Sequence, residues 1–259
     1  RDERAVRREG GRHRHDTEQR HQHRRAILRE EHVTSPWYTP EEPPTREMTG
    51  SPPARGARPR PATAAPHLII IPGLMLHPSD YAPLTSRFES AEVLDIWPAT
   101  VDGVKAVGPP NSDTHDAWMK TTTQRCAAAL ERHPGCIVLA HSAGMEIVRR
   151  LNLHAAGTPT KGAPARLRRE DGPRIVALGC RPFGDACHIV GEDDALAEPH
   201  ADAHSHRVAG GHFNCVTREA YERCQEDQRA LGAPVVEEEH VDASAEIASI
   251  VIREFGPKE

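Results

Sequence analysis

The sequence predicts an α/β fold, with a mostly parallel sheet and helices on both faces, and three observations point there. Short apolar runs (His67-Leu-Ile-Ile-Ile71, Cys136-Ile-Val-Leu-Ala140, Arg174-Ile-Val-Ala-Leu178) are continuous rather than alternating, as in strands covered on both sides. Segments with helical spacing of apolar residues separate them. Each run also breaks at a glycine, proline or polar turn, the punctuation expected where a strand hands over to a helix.

The elements follow in order. Residues 1–65 are rich in Arg, His and Glu and then in Pro, with no apolar periodicity, so they cannot bury a core and are expected to be a disordered leader. The folded domain is expected to span 66–259. Its first strand, from His67, stops at Pro72-Gly73. Ser79–Ser90 has Tyr81, Leu84 and Phe88 at helical spacing, and Glu92–Trp97 alternates as a strand does. Val101–Asn111 reads as a Gly/Pro loop. Asp113–His133 reads as a helix whose Trp118, Cys126, Ala129 and Leu130 face the core. The strand at Cys136 leads into a helix ending near His154, and a polar Gly/Pro/Arg-rich surface insertion fills Ala155–Gly172. Arg174–Cys180 and Ala186–Val190 read as strands, as does a short run from His206. Helices at Thr217–Leu231 and Ala243–Phe255 close the domain.

One junction conflicts with this scheme. Neighbouring parallel strands need a crossover of about a dozen residues or more, and Arg181–Asp185 is too short to supply a helix. Either one of the two flanking segments is not a sheet strand, or a piece of the chain has been lost.

Composition excludes several functions. The net charge is −5 and the mean hydropathy −0.62. The arginines near the start are interleaved with Asp2, Glu3, Glu9, Asp16 and Glu18, the pattern of a solvated tail rather than a nucleic-acid-binding arm. No apolar stretch reaches membrane-spanning length. The six cysteines show no C-x-x-C spacing and fall where small buried hydrophobes would, which suits a reducing compartment and a cytoplasmic location. His13-x-His15 and His21-x-His23 lack thiols or ordered carboxylates, so no metal site is assigned.

The chemistry starts at Ala140-His-Ser-Ala-Gly144. A buried strand that ends at a serine flanked by small residues, with a helix behind it, is how a nucleophile elbow reads: the turn lifts the hydroxyl clear of the backbone. A nucleophilic serine needs a base, and the base an orienting acid. Gly191-Glu-Asp-Asp194 and Gly210-Gly-His-Phe213 both follow short strands. They place candidates in the chain order serine, acid, histidine at strand ends, where open α/β sheets gather functional groups. Ala143, just after the serine, offers one amide to a developing oxyanion, and Leu74, after Gly73, is the candidate for the second. His141 is expected to shape the pocket, and His77 is a loop residue near it.

From about His67 onward the chain resembles an α/β-hydrolase, most closely the small lidless serine hydrolases of the retinoblastoma-binding-protein type. These similarly show a strand ending in Pro-Gly, then H-S-x-G, then a glycine followed by adjacent aspartates, then G-H-F. The resemblance implies Ser142 as nucleophile, His212 as base and Asp194 as orienting acid. Asp194 is preferred to Asp193 because the family's acid usually stands three residues after the glycine, here Gly191. Ala140 in place of the usual glycine is a small departure. The short link at Arg181–Asp185 is a larger one, since the family carries a helix there.

The expected activity is hydrolysis of a small ester or thioester through an acyl-enzyme, with no cofactor and no metal. Without chain for a lid, the site should be shallow and open, with Tyr81, Trp97, Phe183 and Phe213 as the large side chains near its mouth. Two alternatives remain: a hydrolase-like scaffold that binds without catalysis, and an acyltransferase or cofactor-free peroxidase using the same three residues.

Overall fold

The computed structural model describes residues 66–151 (other than 111), 174–180, 186–197 (other than 195) and 205–256 (other than 234, 236 and 237). The leader, residues 1–65, and the surface insertion, Ala155–Gly172, lie outside the described residues.

Six strands, β1 (Leu68–Ile71), β2 (Ala91–Val93), β3 (Ile137–His141), β4 (Arg174–Leu178), β5 (Cys187–Gly191) and β6 (Ser205–Val208), form one sheet ordered β2-β1-β3-β4-β5-β6. Every neighbouring pair is parallel. The continuous apolar runs follow from this placement: β1 and β3 are central and buried on both sides, so successive residues enter opposite cores. Leu68, Ile70, Ile137, Leu139, Val176 and Leu178 face one core, and Ile69, Ile71, Val138, Ala140, Ile175 and Ala177 the other.

The helices divide between these cores. A 3₁₀ turn (Pro78–Tyr81) runs into α1 (Ala82–Thr85), and these supply Tyr81 and Leu84 to the first core. That core also takes Ala220, Tyr221 and Cys224 from α5 (Arg218–Leu231) and Ile247, Ala248, Ile250 and Val251 from α6 (Ser244–Phe255). The second core is covered by α3 (Asp113–Arg132) and α4 (Gly144–Arg150) through Met119, Cys126, Ala129, Leu130, Met145, Ile147 and Val148.

Three local expectations are corrected. Val101–Val107 is a helix, α2, not a loop: Thr100 Oγ1 caps it by accepting from Gly103 N–H (3.1 Å), and Val104 and Val107 are buried on one side. Gly103, which suggests a loop in the sequence, is needed because a Cβ there would lie 2.7 Å from the Pro98 Cβ. The predicted helix at Ser79–Ser90 shrinks to the 3₁₀ turn and α1, since Pro78 and Pro83 lack the amides a continuous helix would use. Edge strand β2 stops at Val93, although Leu94 N–H still donates to Ile70 O (3.0 Å).

The doubtful junction resolves in favour of two strands. Val176, Ala177 and Leu178 pair with Cys187, His188 and Ile189, so both segments belong to the sheet. Cys180 and Ala186, at the two ends of the link between them, are buried in the second core, and Cys180 O accepts from His188 Nε2–H (2.7 Å). Residues 181–185, Phe183 among them, lie outside the described residues.

The chain passes from β1 to the β2 edge and then returns to β3 on the other side of β1. The connections after β1 and β3 therefore diverge, which opens a crevice at their C-terminal ends.

Candidate active site

Ser142 stands in that crevice, at the turn between β3 and α4. Its φ is +50°, a left-handed conformation that side chains other than glycine rarely adopt. The surroundings hold it there: Ser142 N–H donates to Leu178 O (2.9 Å), and Met145 N–H donates to Ser142 O (3.1 Å). Gly144 permits the turn, because a Cβ there would strike the carbonyl oxygens of Ile71 and Pro72. The apolar run and small residues of the sequence thus become a strained, half-buried serine at the end of a buried strand.

The two downstream candidates converge on it. His212 Nε2 lies 2.8 Å from Ser142 Oγ, and His212 Nδ1 lies 3.0 and 3.2 Å from the Asp194 carboxylate oxygens. Asp194 Oδ1 also accepts from the amides of Leu196 (2.8 Å) and Ala197 (3.0 Å), which fixes the plane of the carboxylate. The loops carrying acid and base are tied together by Glu192 N–H to Val208 O (2.8 Å) and Asp193 N–H to Gly210 O (3.1 Å). Asp194 and His212 are buried, whereas Asp193 is exposed and makes no contact with His212. Gly179, with φ +57°, leaves room for the pair: a Cβ there would sit 3.2 Å from His212 Nδ1 and 3.3 Å from Asp194 Oδ2.

Electrostatics follow from that geometry. Burial alone would raise the Asp194 pKa, but the His212 charge, its hydrogen bond and the two backbone amides outweigh it and hold the carboxyl below its ordinary range. For His212, burial lowers the pKa, and the charge and hydrogen bond of Asp194, with a smaller contribution from Glu238, more than reverse it. The imidazolium is therefore favoured when a proton arrives.

Leu74 and Ala143 flank the serine. Ala143 follows it at the start of α4, and the Gly73–Leu74 turn lies against it, since a Cβ on Gly73 would be 3.3 Å from Ser142 Cβ. A hydrogen-bonded relay braces this turn. His141 Nε2–H donates to His212 O (3.0 Å), so Nδ1 accepts from the Tyr81 hydroxyl (2.8 Å), which in turn accepts from Gly73 N–H (3.0 Å). Burial, and then the neighbouring His212, push the His141 pKa down to about 3, so its ring stays neutral and the relay keeps its order. Trp97 Nε1–H donates to Pro72 O (3.1 Å), and Arg223 clamps Asp80 (2.5 and 3.2 Å) at the far side of the turn.

Several of these residues are absent from the sequence reading or placed differently in it. Tyr81 and Phe213 are buried supports rather than groups at the mouth, because their rings fill the first core. His77 is half-buried on the same loop, where its backbone amide donates to Asp80 (2.7 Å), and it does not reach the serine–histidine–aspartate group. Glu238 is new. Its Oε1 accepts from Phe213 N–H (3.3 Å), its Oε2 is buried without a hydrogen-bond partner among the described residues, and burial pushes its pKa up to about 7. No sequence signal marks it, since it lies in an acidic run that reads as solvated surface. All six cysteines are free and buried, and burial raises the pKa of each, to about 12 for Cys180. A thiolate nucleophile does not fit such surroundings.

Among the described residues, no helix is long and apolar enough to cross a membrane. Compared with family models, curated proteins and solved structures, the chain matches none of them.

Proposed function

We propose that this chain is a serine hydrolase of the α/β-hydrolase type, cleaving a small ester or thioester through a covalent acyl-enzyme. One observation carries the reading: His212 bridges Ser142 Oγ at 2.8 Å and Asp194 at 3.0 Å, in a crevice at the C-terminal ends of a parallel sheet. In this reading His212 Nε2 takes the hydroxyl proton as Ser142 Oγ attacks the acyl carbon, and the imidazolium is stabilised by Asp194. The amides of Leu74 and Ala143 receive the oxyanion. Collapse of the tetrahedral intermediate passes the proton from His212 to the departing alkoxide or thiolate. Water then repeats the sequence on the acyl-enzyme and releases the acid.

The choice of a small substrate rests on the short link between β4 and β5, which leaves no chain for a lid at that point. The same short link is what favours the scaffold alternative. A registered β4–β5 pairing and three groups at hydrogen-bond distance favour catalysis over it.

Labelling with a fluorophosphonate probe tests the proposal. Wild type should be labelled at Ser142, and Ser142→Ala should not be. Labelling that survives the substitution would move the nucleophile elsewhere, and a correctly folded wild type that never labels would support the binding scaffold. Product analysis with added alcohol or peroxide separates hydrolysis from acyl transfer or peroxidation.

A further inference from the structure

A second chemical cluster lies at the opposite edge of the sheet. His67 immediately precedes β1, Glu92 is in β2, and His133 follows α3 just before β3, so all three gather at the N-terminal ends of the strands, away from Ser142. One ligand-type atom from each lies within 4.8 Å of the others. We propose that His67, Glu92 and His133 form a binding site for a divalent ion of the zinc class, with two imidazole nitrogens and one carboxylate oxygen as ligands and water completing the shell.

Three observations support this. His67 Nε2 is buried with no hydrogen-bond partner among the described residues, an arrangement that costs free energy unless something occupies the lone pair. His67 Nδ1 lies 2.6 Å from Ser90 Oγ, so the hydroxyl can accept Nδ1–H and leave Nε2 as the ligating atom. Metal-bound imidazoles are commonly held this way by a partner on the other nitrogen. Arg132 donates to Glu92 Oε1 (3.0 Å) and at longer range to Oε2 (3.4 Å), and Oε2 faces His133 Nε2 at 3.6 Å.

Binding requires a modest adjustment. Ligands ~2.0–2.1 Å from a tetrahedral ion stand roughly 3.4 Å apart, somewhat closer than the present limit. The two imidazoles stack with centroids 3.8 Å apart and planes 16° from parallel, which sets their lone pairs side by side. His133 must turn its ring for these to converge, and its side chain is 33% exposed, so it has room to do so. Occupation would tie edge strand β2 and the start of β3 to the start of β1. The expected consequence is stability rather than rate.

The full chain carries other histidines, including pairs in its first 65 residues, so the test is a difference between variants. Zinc is titrated calorimetrically into wild type, His133→Ala and Glu92→Gln, with thermal melts at each zinc level and cobalt(II) as a spectroscopic substitute. Circular dichroism and fluorophosphonate labelling check folding, because neither side chain is buried or near Ser142. Wild type should bind one more ion per chain than either variant, or bind it at least about tenfold more tightly. Its melting temperature should rise about 5–10 °C further at a ~100-fold excess over Kd, and only wild type should give the cobalt visible bands of a low-symmetry nitrogen–oxygen site. Equal stoichiometry, affinity and melting shift in all three proteins would overturn the proposal.

Discussion

Replacing Asp194 by asparagine should disable the site through the wrong histidine tautomer, and the hydrogen bonds set the magnitude. Asp194 Oδ1 accepts two backbone amides (2.8 and 3.0 Å), so an asparagine side chain will keep its carbonyl oxygen there and turn its NH₂ toward His212 Nδ1. Nδ1 then becomes an acceptor and Nε2 carries the hydrogen, which points at Ser142 Oγ and leaves no base for its proton. Restoring the working tautomer means flipping the amide, which loses two hydrogen bonds to Leu196 and Ala197 and sets donors against donors. At roughly 1–3 kcal/mol for each buried amide left unsatisfied, the flip costs about 2–6 kcal/mol, or a factor of about 30 to 10⁴ in rate. Steady-state kcat/KM on an acetate aryl ester should fall by that factor, with residual activity from the oxyanion donors. Asp193→Asn is the control and should stay within about twofold, because Asp193 is exposed. A loss below tenfold in Asp194→Asn, or a larger loss in Asp193→Asn, would refute the tautomer reasoning.

Glu238→Gln should stabilise the protein increasingly as pH rises from about 4.5 to about 7, and by a constant amount above that. The folded-state pKa is raised from 4.5 to about 7, so the carboxylate destabilises the fold progressively as pH rises between those values, by about 3 kcal/mol once both states are ionised. Melting temperatures of variant and wild type should lie closest near pH 4 and differ by several degrees near pH 8.5. Because Glu238 helps raise the His212 pKa, the acidic limb of kcat/KM should also move to lower pH in the variant. Tyr81→Phe removes the hydroxyl between Gly73 N–H and His141, leaving buried polar groups unpaired; a stability loss of about 2–4 kcal/mol in urea titrations and a fall in kcat are expected. Gly144→Ala should prevent soluble expression because the added methyl meets backbone oxygen that cannot move aside. Gly232→Ala, with φ +68° but open space around it, should cost only about 1 kcal/mol, or about 2–4 °C in melting temperature.

Much of the architecture is legible in the sequence because it depends on short-range signals. The doubly apolar runs of β1, β3 and β4 state that both faces are covered, and the Ala-His-Ser-Ala-Gly turn after β3 states where the chain changes direction. The chain order of Ser142, Asp194 and His212, each just beyond a strand, is equally visible. Elements whose local signals conflict are not. The helix α2 is hidden because its Gly103 looks like a loop residue until Pro98 is seen packed upon it. The short β4–β5 link looks impossible until the register of Val176–Leu178 against Cys187–Ile189 puts both segments in the sheet.

Tertiary structure alone decided which groups meet. Asp193 and Asp194 are adjacent in sequence and alike in chemistry, yet the pairing of β5 with β6 turns one toward His212 and the other to solvent. Glu238 comes from an acidic run with no periodicity, and its raised pKa exists only because the fold packs it beneath Phe213, away from water. His67, Glu92 and His133 are likewise brought together only by the parallel register of three strands. Local sequence sets propensity and turns. Burial and proximity, which govern pKa values, relays and ligand sets, belong to pairs of residues distant along the chain.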